Sequence, residues 1–335
     1  MTVPSFRISL LGAGRIGRLH ARLLSELPDV ELTVADTDAD RAREVADAVG
    51  ARSASIEAAL AGADALVIAA ATNAHAELIM AGIARGIPTF CEKPVAADLA
   101  STIDLTHEVE ASGVPVQIGF QRRFDAGYLE ARRLVESGDI GTLYAFRLAG
   151  HDPAPPHEDY IPVSGGLFRD FSIHDFDVIR WLTGTEVAEV YATGSVRGFP
   201  AFAKYGDVDT AVATLTMADG TLGAMTIARH DPLGYDIRAE LFGSRDSVSV
   251  GLGPRTPIRS VEPGVAPPAG PLWSDFMVRF EQAYRAELAA FLEVVRGERP
   301  SPCTAGDGLA ALRVAEAATL SVHEHRPVRV EEIAG

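Results

Sequence analysis

Over the first 120 positions, apolar residues fall into short blocks of strand length separated by stretches with helical spacing. The block 6–11 predicts a strand that runs into Gly12-Ala13-Gly14-Arg15-Ile16-Gly17. Leu19, Ala21, Leu23, Leu24 and Leu27 then recur as on one face of a helix. A second strand is expected at 31–35, ending at Asp36, and further strands at 63–71, 88–91 and 114–119. Helical stretches at 74–85 and 101–111 lie between them. Strands that alternate with helix-length segments predict a parallel, doubly wound sheet of the Rossmann type, with ligands bound beyond the carboxyl ends of its strands. Two strand ends therefore stand out, Thr72-Asn73-Ala74-His75 and Glu92-Lys93-Pro94.

Beyond residue 120 the rhythm changes. After a helix at 125–136, strand-like runs at 143–148, 187–193, 210–217, 222–227, 238–242 and 247–250 predict a large, mostly antiparallel open sheet. A helix at 170–182 is expected to pack on one of its faces. The Gly/Pro-rich stretch 251–271 reads as a long loop, and helices at 275–295 and 307–321 follow. The fold class is thus α/β, an N-terminal Rossmann domain at 1–120 with a C-terminal α+β domain at 121–335. A C-terminal helix could pack back on the first.

Length and composition fit this division. A chain of 335 residues is about twice a typical domain, and 47% apolar residues suffice for large cores. A net charge of −16 argues against nucleic acid and anionic membranes as partners. The apolar run 65–71 is far short of a membrane span, and no signal-like segment opens the chain. Cys91 and Cys303 give neither a disulfide framework nor a metal spacing, which suits a reducing cytoplasm.

The chemistry concentrates at a few places. A GxGxxG between strand and helix lets a pyrophosphate approach the backbone at a helix N-terminus, which makes Gly12 through Gly17 a candidate dinucleotide cradle. Asp36, with Thr37 beside it, lies near the offset expected of a carboxylate that binds the adenosine ribose, favouring NAD over NADP. The duller alternative is a helix cap, and Arg41 could reach a 2′-phosphate instead. In Gly165-Gly166-Leu167-Phe168-Arg169-Asp170-Phe171-Ser172-Ile173-His174, the aspartate and histidine stand four apart. On a helix such residues share a face, and an imidazole held by a carboxylate moves protons near neutral pH. His174 could otherwise be a satisfied core histidine, and Lys93 a solvated lysine before a turn-forming proline. Lys93 is expected to set a cation beside a developing alkoxide or, desolvated to a low pKa, to compete with His174 as the group that takes the proton first. No metal is expected, since His174 and Asp175 point to different helix faces and zinc spacing is lacking. His20, His107, His323 and His325 are expected at the surface.

Taken in order, several motifs carry a resemblance. They are Gly12–Gly17, Cys91-Glu92-Lys93-Pro94, Gly119-Phe120-Gln121-Arg122-Arg123-Phe124-Asp125, Asp170 with His174-Asp175-Phe176-Asp177, Gly206-Asp207-Val208-Asp209-Thr210, and Gly234-Tyr235-Asp236. The chain resembles the Gfo/Idh/MocA oxidoreductase family nearly end to end, its myo-inositol 2-dehydrogenase branch in particular. The resemblance implies NAD-dependent oxidation of a secondary hydroxyl on a cyclic polyol or sugar, with myo-inositol first. Alternatives are scyllo-inositol, another sugar, or an NAD-dependent glycoside hydrolase of the same fold. It makes Lys93, Asp170 and His174 catalytic and places Glu92 near the nicotinamide ribose. Arg122, Asp152 and Tyr235 would join those three in contacting the substrate. A homotetramer or dimer is implied, with the second domain binding substrate and building the oligomer. Gln121 and Asp231-Pro232-Leu233 depart from the inositol branch at the pocket rim.

Overall fold

The computed structural model describes residues 6–333. The chain forms two compact units, one comprising residues up to 121 with 282–309, the other 122–281 with the residues from 310 onward.

The first unit is built on six strands: β1 (Phe6–Leu11), β2 (Val30–Ala35), β3 (Arg52–Ala54), β4 (Ala65–Ile68), β5 (Thr89–Glu92) and β6 (Val116–Gly119). Their order is β3-β2-β1-β4-β5-β6, and every pairing is parallel. Strand β4 is wholly buried, as expected of a sheet covered on both faces. The order reverses between β1 and β4, the place where doubly wound sheets open a crevice for ligands. The stretch 36–62, unassigned by pattern, holds helices Ala39–Val49 and Ile56–Gly62 around β3. Asp38 caps the first of these on the amides of Asp40 and Arg41, and Gly50 ends it in the left-handed region. From the chain's later part, helix Glu281–Val295 packs here, with Phe291 5.8 Å from Phe90 and the Glu287 carbonyl accepting from Gln117.

The second unit carries a seven-stranded sheet of β7 (Leu143–His151), β8 (Val187–Ser195), β9 (Thr210–Met217), β10 (Leu222–Ala228), β11 (Asp236–Gly243), β12 (Ser247–Val250) and β13 (Val328–Arg329). The order is β12-β11-β7-β10-β9-β8-β13, antiparallel except where β10 runs parallel to β7. Side chains alternate: Gly223, Met225 and Ile227 of β10 are buried while Leu222, Ala224 and Thr226 face out. The segment 251–271 has no helix or strand, consistent with its Gly/Pro content. The single helix expected over 170–182 differs in one respect. Its first turn, Phe168–Ser172, is π-helical, and the α-helix runs Ile173–Thr183. The helix expected over 275–295 is likewise broken, into Phe276–Arg279 and Glu281–Val295, with the buried ring of Phe280 between them.

Candidate active site

The glycine turn of the first unit has three different requirements. Gly12 leaves β1 at φ +109°, where a Cβ would come 2.5 Å from the Ala69 and Ala70 backbone. At Gly17 a Cβ would meet the Gly12 carbonyl oxygen at 2.1 Å, so this glycine closes the helix onto the turn. Gly14 faces open space, with nothing within 4 Å of its would-be Cβ. Helix Arg15–Ser25, which follows, has no side-chain cap and no acidic residue in its first turn. Its N-terminal amides and positive dipole end are thus presented to an anion.

Asp36 lies at the end of β2 beside this turn. Its carboxylate accepts from the Ala13 amide at 2.7 Å, the Asp38 amide at 2.9 Å and Arg41 Nη2 at 2.6 Å. Burial alone would raise its pKa, but the bonds from Arg41 and the two amides outweigh that and hold it at about 2. Asp36 is therefore ionised at every physiological pH. Arg41 is engaged by that carboxylate. Thr37 is exposed next to it. An open glycine, an uncapped helix start and an ionised carboxylate at the strand end form a set that fits a dinucleotide with free ribose hydroxyls.

Past β4, Thr72–Ala74 forms a short 3₁₀ turn, with Thr72 half-buried and Asn73 exposed. His75, expected at the cofactor, is 1% exposed and ties two segments together. Its Nδ1 lies 2.7 Å from the Pro94 carbonyl and its Nε2 3.2 Å from that of Ala70. Burial lowers its pKa, and the two carbonyls oppose that by accepting from the ring. Lys93 is half-buried and joins Pro94 through a cis peptide. Glu92 is paired with His20, whose Nε2 lies 2.6 Å from Oε1. This corrects the surface placement of His20, which is wholly buried between the Phe90 and Tyr284 rings. The helical pattern held the signal, because His20 falls on the same stripe as Gly17, Ala21 and Leu24.

In the second unit the acidic residues around His174 each meet an arginine. Asp170 accepts from Arg229 Nη2 at 2.8 Å and from the Tyr160 hydroxyl at 3.0 Å. Asp175 pairs with Arg122, both about 1% exposed. Asp177 receives Arg123 through two bonds of 2.6 and 2.9 Å. Arg122, expected against the polyol, is enclosed with Asp175, its guanidinium carbon 5.9 Å from the centre of the Phe280 ring. Both adjacent arginines clamp the helix that carries His174. Asp170 sits in the π-turn that runs directly into the helix of His174.

Asp152 follows β7 and lies 3.3 Å from Arg229 Nη1, so the structure brings Asp152 and Asp170 together on one guanidinium. Tyr235 is 5% exposed, and burial pushes its phenol above the ordinary range, leaving it a neutral hydroxyl. Lys93, Glu92 and the glycine turn belong to the first unit, and Asp152, Asp170, His174 and Tyr235 to the second. Arg229 was not foreseen. Its signal lay in the alternation of β10, where position 229 continues the buried phase of 223, 225 and 227 with a charged residue. His151, Asp231 and Asp236 also gather, with ligand atoms within 4.8 Å, but Asp236 is held by Arg238.

A parallel sheet with this glycine turn and strand-end carboxylate defines a dinucleotide-binding protein of the Rossmann class. Residues 6–120 match the model of an oxidoreductase family with an NAD-binding Rossmann fold, and 128–249 match the GFO/IDH/MocA C-terminal domain. The chain is 39% identical to the myo-inositol dehydrogenase Hyg17 of Streptomyces leeuwenhoekii, covering 94% of this chain and 96% of that one. It is 37% identical to the myo-inositol 2-dehydrogenase of Thermotoga maritima, over 98% and 100% of the two chains. It also superimposes on a scyllo-inositol dehydrogenase from Lactobacillus casei solved with NAD(H) and scyllo-inositol, with a TM-score of 0.88 and 27% identity over 98% and 99% of the chains. This chain belongs to the Gfo/Idh/MocA family of NAD-binding oxidoreductases.

Proposed function

We propose that the protein is an NAD-dependent dehydrogenase that oxidises a secondary hydroxyl of a cyclic polyol to a ketone, acting as an inositol 2-dehydrogenase on myo-inositol. The observation that carries this reading is near-full-length similarity, on both units, to proteins named for that activity. The Lactobacillus casei relative supports scyllo-inositol as the next substrate to test.

NAD supplies hydride acceptance when bound. Gly12, Ala13, Gly14, Arg15, Ile16 and Gly17 would hold its pyrophosphate, and Asp36 with Thr37 its adenosine ribose. Thr72, Asn73, Glu92 and Lys93 line strand ends on the same side, and His75 fixes the Pro94 turn. His174 takes the hydroxyl proton, a task suited to an imidazole near neutral pH. Lys93 offsets charge on the substrate oxygen with its ammonium. Asp170 acts as a fixed anionic acceptor that orients the reacting group, with Asp152 and Tyr235 offering further polar contacts. Arg122 acts through Asp175.

The outward sheet face carries exposed Tyr191 (43%), Val212 (47%) and Leu222 (57%), which supports a homodimer or tetramer built on that face. A cytoplasmic location suits two buried free cysteines. Among the described residues no helix is long and apolar enough to cross a membrane.

The test is NADH formation with purified enzyme across inositol isomers and aldoses at alkaline pH. Turnover of myo-inositol to a ketone is expected, and activity confined to non-cyclic alcohols would refute the reading. In the same assay His174→Ala should keep NAD binding and lose about 10²–10⁴-fold in kcat.

A further inference from the structure

We propose that Arg229 is a positioning residue for this reaction, bridging Asp170 and Asp152 so that both stay ionised and aimed as hydroxyl acceptors. The inference rests on the functional reading above.

Four chain segments meet at this guanidinium. Arg229 follows the last residue of β10 and is 3% exposed, its own amide bonded to the Asp209 carbonyl at 2.8 Å. Nη2 reaches Asp170 in the π-turn and Nη1 reaches Asp152 after β7. Tyr160, closing the short turn Glu158–Tyr160, donates to the other oxygen of Asp170. The Phe171 ring lies 5.6 Å below the guanidinium carbon. One cation between two carboxylates leaves a net negative charge and unused oxygen lone pairs, suited to O–H donors of a polyol. Neutral hydroxyls can supply such donors without bringing a counter-charge.

Arg229 also decides how this site titrates. Without it, two carboxylates in a half-buried space would share a proton, as like charges at close range do. The other charged groups nearby are already engaged. Asp209 accepts from the amides of Arg197, Gly198 and Phe199, Asp236 holds Arg238, and His151 lies 3.6 Å from Asp236 and 3.8 Å from Asp231. His174 lies one helical turn beyond Asp170. None of these replaces a guanidinium between Asp152 and Asp170.

The experiment compares Arg229→Gln, Arg229→Lys and Arg229→Ala with the wild-type enzyme. Each is measured for kcat and KM toward polyol, NAD affinity, pH profile and thermal midpoint. In Arg229→Gln, kcat/KM for polyol should fall about 100-fold, the size of effect that loss of one preorganised charged donor produces. NAD affinity should change less than about twofold, because the glycine turn is untouched. The acid limb of kcat/KM should move up by about one pH unit. Arg229→Lys should sit between, and added guanidinium should restore part of the activity of Arg229→Ala. Carboxyl ¹³C NMR, with Asp170→Asn to assign the signal, should show Asp170 titrating higher in Arg229→Gln. Wild-type kcat/KM and pH profile in a folded Arg229→Gln would overturn the proposal. So would a loss that guanidinium leaves unchanged and that extends equally to NAD binding, since that marks a merely structural pin. If the wild-type enzyme oxidises no polyol, the functional reading fails, while the Asp170 titration still decides the case for Arg229.

Discussion

The three glycines of the turn should separate when each is replaced by alanine, because each meets a different obstacle. At Gly17 the added Cβ would sit 2.1 Å from the Gly12 oxygen, well inside the 3.0 Å that Cβ atoms essentially never breach. Alanine gains about 1 kcal/mol of helix propensity there, but overpacking against backbone costs about 3 kcal/mol or more. A net loss of about 2 kcal/mol would lower the thermal midpoint by about 4–8 °C for a unit of this size. Gly12→Ala should lose at least as much, since about 1–2 kcal/mol of left-handed strain adds to contacts of 2.5 Å with Ala69 and Ala70. Gly14 differs, with an ordinary φ of −73° and nothing near its would-be Cβ. Gly14→Ala should fold within about 1 kcal/mol of wild type. If a pyrophosphate lies against that position, the methyl should cost about 1–3 kcal/mol of binding, or roughly 5–150-fold in the Kd for NAD. Titration calorimetry with NAD and differential scanning fluorimetry on the three variants make the comparison. Wild-type NAD affinity in Gly14→Ala would remove the cradle assignment. A Gly14→Ala protein as unstable as Gly17→Ala would refute the packing argument.

Further outcomes follow from charged groups at two places. The Asp36 carboxyl is held at about 2, below its unfolded value near ~3.9, so its stabilising contribution is full above that unfolded value and lost as pH falls through about 2. Asp36→Asn should be less stable than wild type in urea at pH 7, with the difference closing toward pH 2; a difference constant with pH would contradict this. The same variant should shift preference toward NADP, because Arg41 then loses its partner and can meet a 2′-phosphate. For the buried Arg123–Asp177 pair, Asp177→Ala alone should cost about 3–5 kcal/mol by stranding a charge. Replacing both with apolar residues of similar volume should recover most of that in the same urea titration.

Periodicity made most of the architecture legible. The Rossmann alternation, the glycine turn, the carboxylate at the end of β2 and the mostly antiparallel second sheet could all be read from spacing. What escaped was governed by tertiary contact. Strand β3 spans only Arg52–Ala54, too short for a period to register. The π-turn at Phe168–Ser172 has no pattern of its own, since its phase slips by a fraction of a turn. Arg122 was placed against the substrate by the resemblance alone, which says nothing of what encloses it. Its burial depends on Asp175, more than fifty residues away. His20 and Arg229 were visible in principle, as charged or titratable residues standing in the apolar phase of a helix and of a strand. Reading phase before residue type would have singled out both.

The arginine pairing around His174 bears on which group moves the proton. Asp170, Asp175 and Asp177 all lie within four residues of it, and each is paired with a guanidinium, Arg229, Arg122 and Arg123 respectively. An arginine remains charged throughout the working range and opposes protonation of a carboxylate bound to it, while burial raises the Asp175 carboxyl above its ordinary value. On the proposed function the segment separates its roles: the paired carboxyl groups set position and field, and the imidazole carries the proton. Arg122 and Arg123 adjoin in sequence yet reach carboxylates two residues apart on the helix Ile173–Thr183, which fixes the rotation of that helix about its axis and so the direction of His174. On this argument Asp175→Asn should lower kcat through misplacement of the imidazole while leaving the limbs of the pH profile where they were. An acid limb that moved with Asp175 would instead make that carboxyl a participant in the proton transfer.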